Sequence, residues 1–152
     1  MNYYSLNYVY LDCIVNYNVV INMKKVKIKT KDYNYINKNI ALMGHMGSGK
    51  SLLGKLIAQK LEFQHIDSDV MIEIKTKNTI NHIFKTLGES GFRKIEEKTI
   101  LSLTNKSNIV VSLGGGSVLN KNVRNFLKKN YITVFLDVEL SILIERLQNS
   151  TK

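Results

Sequence analysis

From residue 39 onward the chain alternates between two rhythms of apolar and polar positions. Short unbroken apolar runs occur at Asn39-Ile40-Ala41-Leu42-Met43, Ile109-Val110-Val111-Ser112-Leu113 and Tyr131-Ile132-Thr133-Val134-Phe135-Leu136, with a shorter one at Phe63-Gln64-His65-Ile66. Runs of this length and content read as buried strands. Between them apolar residues return every three or four positions. Leu52, Leu53, Leu56, Ile57 and Leu61 do so, as do Phe92, Ile95, Ile100, Leu101 and Leu103, then Val123, Phe126 and Leu127, and finally Leu140, Leu143, Ile144 and Leu147. That spacing predicts amphipathic helices. Strands alternating with helices give an α/β protein with a parallel sheet.

The first 38 residues follow neither rhythm. Residues 1–22 hold one charged side chain, Asp12, and five of the eight tyrosines, and Asn7, Asp12, Asn16 and Asn18 interrupt every apolar stretch. This is a poor signal peptide and a poor membrane span. Residues 23–38 carry six lysines against Asp32, a basic leader of net +5. Met23 offers an alternative start, which would make residues 1–22 foreign to the native protein. The domain reading is therefore an N-terminal extension at 1–38 and a folded unit at 39–152.

Composition adds bounds more than direction. The 152 residues, 44% hydrophobic and 22% charged, suit one domain with a real core. The single cysteine, Cys13, excludes an intrachain disulfide framework and fits a cytoplasmic setting. The net charge of +10 divides into +5 in the leader, −1 in residues 1–22 and +6 in the remainder. A basic balance suits anionic ligands. No nucleic-acid partner is expected, because the interleaved basic and aromatic motif of such modules is missing, and no membrane partner is expected either.

Chemistry enters at the end of the first apolar run. Gly44-His45-Met46-Gly47-Ser48-Gly49-Lys50-Ser51 has the spacing of a phosphate-binding loop, and it lies between a predicted strand and a predicted helix. Glycine amides and the start of a helix cradle phosphate oxygens, Lys50 supplies a point charge, and the Ser51 hydroxyl is a hard oxygen ligand for Mg²⁺. The ATP-binding set is Gly47, Ser48, Gly49, Lys50, Ser51 and Leu52. His45 reads as a solvent-facing loop residue.

Three more segments supply acceptor chemistry. The strand at Phe63–Ile66 should deliver Asp67 and Asp69 into the loop at its carboxyl end, where open α/β sheets bind ligands. One carboxylate can serve Mg²⁺ and the other can take a proton from a hydroxyl. Arg93 and Glu96 are three apart on a helix, so they pair and leave a guanidinium fork aimed at an anion. Gly114-Gly115-Gly116 directly follows a buried strand and invites a ligand onto bare backbone.

These four motifs, in this order and spacing, resemble the shikimate kinases, over residues 39–152. The resemblance implies a P-loop NTPase-type, three-layer α/β/α sandwich of the nucleoside monophosphate kinase kind. It implies transfer of phosphate from ATP, with Mg²⁺, to the 3-hydroxyl of shikimate in aromatic amino acid biosynthesis, by a monomer. By that resemblance Asp69 contacts the ring hydroxyls and acts as base, Arg93 binds the acceptor carboxylate and Glu96 steadies it. Gly114, Gly115 and Gly116 meet the acceptor, Ser51 and Asp67 serve the metal, and Arg146 flanks adenine. Lys50, Asp69 and Arg93 form the catalytic set. Leu52 stands where the family usually has threonine. The family's lid arginine, its second carboxylate arginine and its last strand and helix have no counterpart here. A truncated kinase domain is therefore expected, with an inactive nucleotide-binding fragment as the alternative.

Overall fold

The computed structural model describes residues 39–150, so the tyrosine-rich start and the lysine leader lie outside the described residues. Strands β1 (Asn39–Gly44), β2 (Gln64–Asp67), β3 (Ile109–Ser112) and β4 (Tyr131–Leu136) form one sheet in the order β2-β3-β1-β4, and every pairing is parallel. Helices α1 (Lys50–Leu61), α2 (Ser68–Thr76), α3 (Ile80–Leu101), α4 (Lys121–Asn130) and α5 (Leu140–Ser150) connect or follow them. The expected α/β class and parallel sheet are what the chain forms.

Because successive side chains of a strand point to opposite faces, each strand feeds two cores. Ala41, Met43, Ile109 and Val111 pack with Ile100, Leu103, Val123 and Leu127 on one face. Leu42, Val110, Val134 and Leu136 pack with Leu53, Ile57 and Ala58 of α1 on the other. Burial on both faces is why these strands read as continuous apolar runs. A third cluster, Ile72, Ile83 and Phe92, joins α2 to α3.

Two boundaries differ from the sequence reading. Asp69 is not in a loop. The strand ends at Asp67, whose side chain accepts from the Asp69 and Val70 amides and caps α2, so Asp69 sits in that helix's first turn. The helix carrying Arg93 also begins earlier, at Ile80, and is broken at Gly88 (φ 65°, ψ −178°). The first half of α3 is mostly exposed, so its periodicity is weak in the sequence, and α2 is only nine residues long.

Candidate phosphate and acceptor site

Strand order reverses beside β1, since the chain passes from β1 to β2 and β3 on one side and then to β4 on the other. Loops leaving the strands' carboxyl ends diverge there and open a crevice. The loop after β1 fills it. Gly44, Gly47 and Gly49 have φ of 147°, 79° and 91°, angles that side chains resist, and Gly49 is the residue that caps α1. The Lys50 ammonium donates to the carbonyls of Gly44 and His45 at 2.8 Å each. Burial pushes it below the ordinary lysine range, while Asp69 and Asp67 pull it back up.

Ser51 and Asp67 meet across the crevice: the Ser51 hydroxyl donates to Asp67 Oδ2 at 2.5 Å. A hydroxyl and a carboxylate with no intervening group are a hard-oxygen pair of the kind Mg²⁺ uses alongside water and phosphate oxygens. Among the described residues no cluster of three or more His, Cys, Asp or Glu side chains is poised for a metal. The donor set therefore fits an ion that takes most of its ligands from substrate and solvent.

The acceptor side gathers on the triple glycine. A Cβ on Gly114 would lie 2.8 Å from Asp69 Oδ1, 3.0 Å from Glu96 Oε1 and 3.2 Å from Ser117 Oγ, and one on Gly116 would collide with Arg93 Nη2. Any larger residue at either place would force these side-chain ends to move. Arg93 donates to Glu96 Oε2 at 2.8 Å and more loosely to Glu89 at 3.4 Å. Partial burial weakens its charge, but those carboxylates outweigh it and hold the guanidinium above the usual arginine value. Glu96 is only 2% exposed, and its second oxygen accepts from the Ser117 hydroxyl at 2.6 Å. The buried carboxylate is thus satisfied at both oxygens, which fixes the guanidinium that it holds. Asp69 Oδ1 is buried with no hydrogen-bond partner. Burial, then the charges of Asp67 and Glu96, push its carboxyl up, against Lys50 and the Ser68 hydroxyl.

Two loops meet at Gly115, whose Cβ position lies 3.8 Å from both the Gly44 carbonyl and the Met46 amide. Arg146 reaches the same loop from α5 and donates to the Gly47 carbonyl at 3.1 Å. Ser48 is buried beneath the loop, and Leu52 points outward from α1, 55% exposed. The structure thus brings Lys50, Ser51, Asp67, Asp69, Arg93, Gly114, Gly115 and Gly116 around one crevice, with Arg146 at its rim. His45 is exposed, as expected. Sequence reading missed three serines. Ser68 accepts from the Gly114 amide at 2.9 Å, Ser117 holds Glu96, and Ser112 donates to the Lys50 carbonyl at 3.0 Å. Serine is common and these stand among louder neighbours, so only their burial distinguishes them.

A parallel sheet with a phosphate loop at its switch point and an acidic and cationic acceptor wall beside it defines the P-loop kinase class. A family model described as shikimate kinase matches residues 46–152. The chain is 47% identical over 112 residues to a shikimate kinase of Sulfurihydrogenibium sp., covering 74% of this chain and 68% of the relative. A shikimate kinase of Haemophilus influenzae is 44% identical over 115 residues, covering 76% and 64%. Among solved structures, shikimate kinase from Acinetobacter baumannii in complex with shikimate superposes with a TM-score of 0.72 at 37% identity, covering 75% of this chain and 64% of the other. The chain belongs to the shikimate kinase family, and it spans about two thirds of the length of these relatives.

Proposed function

We propose that the protein transfers the terminal phosphoryl group of ATP to the 3-hydroxyl of shikimate, giving shikimate 3-phosphate and ADP. The observation that carries this reading is the nearness of the triple glycine to the phosphate loop, since a Cβ on Gly115 would lie 3.8 Å from the Gly44 carbonyl and the Met46 amide. This supports an acceptor wall of Asp69, Arg93 and Gly114–Gly116 beside the loop that would hold a nucleotide's phosphates.

In this reading the amides of residues 47–52 and the Lys50 ammonium bind the phosphates, and Arg146 closes the rim towards the base. Ser51 directly and Asp67 through water would hold Mg²⁺, which supplies charge neutralisation on the phosphates when bound. Arg93, steadied by Glu96, takes the acceptor's carboxylate and turns its ring. Asp69 receives the hydroxyl proton as the new oxygen–phosphorus bond forms and the bond to the ADP oxygen breaks. A carboxyl pushed up by burial suits that proton transfer. Most of the rate gain comes from positioning and charge. A single cysteine supports a cytoplasmic setting.

A coupled assay of shikimate-dependent ADP release by the 152-residue chain tests the reading, with calorimetric ATP binding run beside it. Lys50→Ala is expected to lower ATP affinity at least tenfold. Binding that disappears in Lys50→Ala without any turnover by the unmodified chain would favour a nucleotide-binding fragment. Absence of ATP binding by the unmodified chain would sink both readings.

A further inference from the structure

Gly54 stands in the interior of α1 and is buried, although alanine is the better helix former there. A Cβ at this position would lie 2.7 Å from His65 Nε2 and 2.7 Å from Ser112 Oγ. The glycine therefore makes room for a pair of polar side chains brought in from β2 and β3. Ser112 is 2% exposed and is the last residue of β3, opposite Asp67 of β2 and Leu42 of β1 in the sheet register. Its hydroxyl donates to the Lys50 carbonyl at 3.0 Å. A carbonyl can only accept, so the single hydroxyl hydrogen is committed. The 3.0 Å contact between His65 Nε2 and Ser112 Oγ must then be a ring N–H donating to the hydroxyl oxygen.

We infer that His65 and Ser112 are positioning residues for the phosphate loop: they tie the first turn of α1 to two strands and so set the aim of Lys50 and Ser51. The tie runs from an imidazole on β2, through a buried hydroxyl on β3, to the backbone of the lysine. Two residues beyond His65, Asp67 accepts the Ser51 hydroxyl, so β3 grips the turn at its backbone and β2 grips it at a side chain. Without the tie, α1 keeps its apolar contacts through Leu53 and Ile57, but its first turn can shift relative to Asp67. This rests on the nucleotide-binding reading above. It concerns the donor side alone, since neither residue touches the triple glycine.

The test measures Mg-ADP affinity, shikimate affinity and the thermal midpoint on the 152-residue chain. Ser112→Ala and His65→Leu are each expected to weaken Mg-ADP about tenfold while shikimate affinity changes less than about twofold. His65→Gln places an amide donor at similar reach and is expected to restore Mg-ADP affinity to within about threefold of the unmodified chain. A purely structural role predicts instead that His65→Leu lowers the midpoint while the folded protein binds Mg-ADP as before. That result, or a glutamine variant as weak as the leucine one, overturns the inference. If Ser112→Ala does not fold, the leucine and glutamine variants at 65 decide alone. An unmodified chain that fails to bind Mg-ADP refutes the proposed function, whereas a binding chain with unaffected variants refutes only the positioning role.

Discussion

Gly116 shows how much of this site is decided by the absence of an atom. The three Arg93 guanidinium atoms nearest the missing Cβ all lie closer than 3 Å to its position. Gly116→Ala must therefore displace Arg93, either away from Glu96 or outward to solvent. The expected result is a rise of roughly tenfold or more in the KM for the carboxylate-bearing acceptor, with little change in ATP affinity, read from initial rates. Equal losses on both substrates would point to a collapsed loop. Glu96 illustrates the same economy with a charge. As a lone buried carboxylate it would be costly, but it accepts from Arg93 and Ser117 and so becomes an anchor.

At the level of elements, helix starts carry unusual responsibility. Asp67 both caps α2 and receives the Ser51 hydroxyl, so one carboxylate belongs to a strand end, a helix cap and the proposed metal-binding pair. Reading the Asp-x-Asp motif as either a cap or a site sets up a choice the fold does not make. Asn120 does comparable work for α4: its Oδ1 accepts from the Asn122 and Val123 amides at 2.8 and 3.3 Å, and its Nδ2 donates to Glu97. The side-chain amides of Asn122 and Asn120, donating at 2.7 and 2.9 Å, hold the Glu97 carboxyl below its usual range. Asn120→Ala is expected to destabilise the protein by about 1 kcal/mol, measured by urea denaturation. A change below a few tenths would show that the cap is not needed.

Across the whole molecule, the order β2-β3-β1-β4 is what assembles the crevice, because it sets the ends of β1, β2 and β3 side by side. At the opposite end of the sheet, Tyr131 pairs with Asn39 and is buried, with its hydroxyl lacking a hydrogen-bond partner. Burial pushes its phenol from 10.0 up to about 12. The unfolded chain therefore loses this proton first. The associated stability is complete below pH 10 and declines as pH rises towards 12. Tyr131→Phe is expected to remove that part of the alkaline decline and to leave neutral stability unchanged or slightly raised. Thermal midpoints across pH 8 to 12 check it, and an unchanged alkaline slope in the phenylalanine variant would contradict it.

Much of the fold was legible in the sequence. Strands buried on both faces announce themselves as apolar runs, which is why β1, β3 and β4 stand out, and α1 follows from its spacing. The start of α3 and all of α2 were not legible, because the first is largely exposed and the second spans only nine residues. The candidate site divides in the same way. The phosphate loop, Asp67, Asp69, Arg93 with Glu96, and the triple glycine are visible because chemistry needs those residue types at short, fixed separations. By itself the sequence determined these local pieces, since capping, helical spacing and backbone angles act over a few residues. Only the tertiary structure decided that Gly114 sits between Asp69 and Glu96, that Ser117 and Ser112 hold groups far away in the chain, and that His65 faces the turn bearing Lys50. The two serine contacts join positions 21 and 62 residues apart. Their geometry is set by strand order and register, which no short-range pattern encodes.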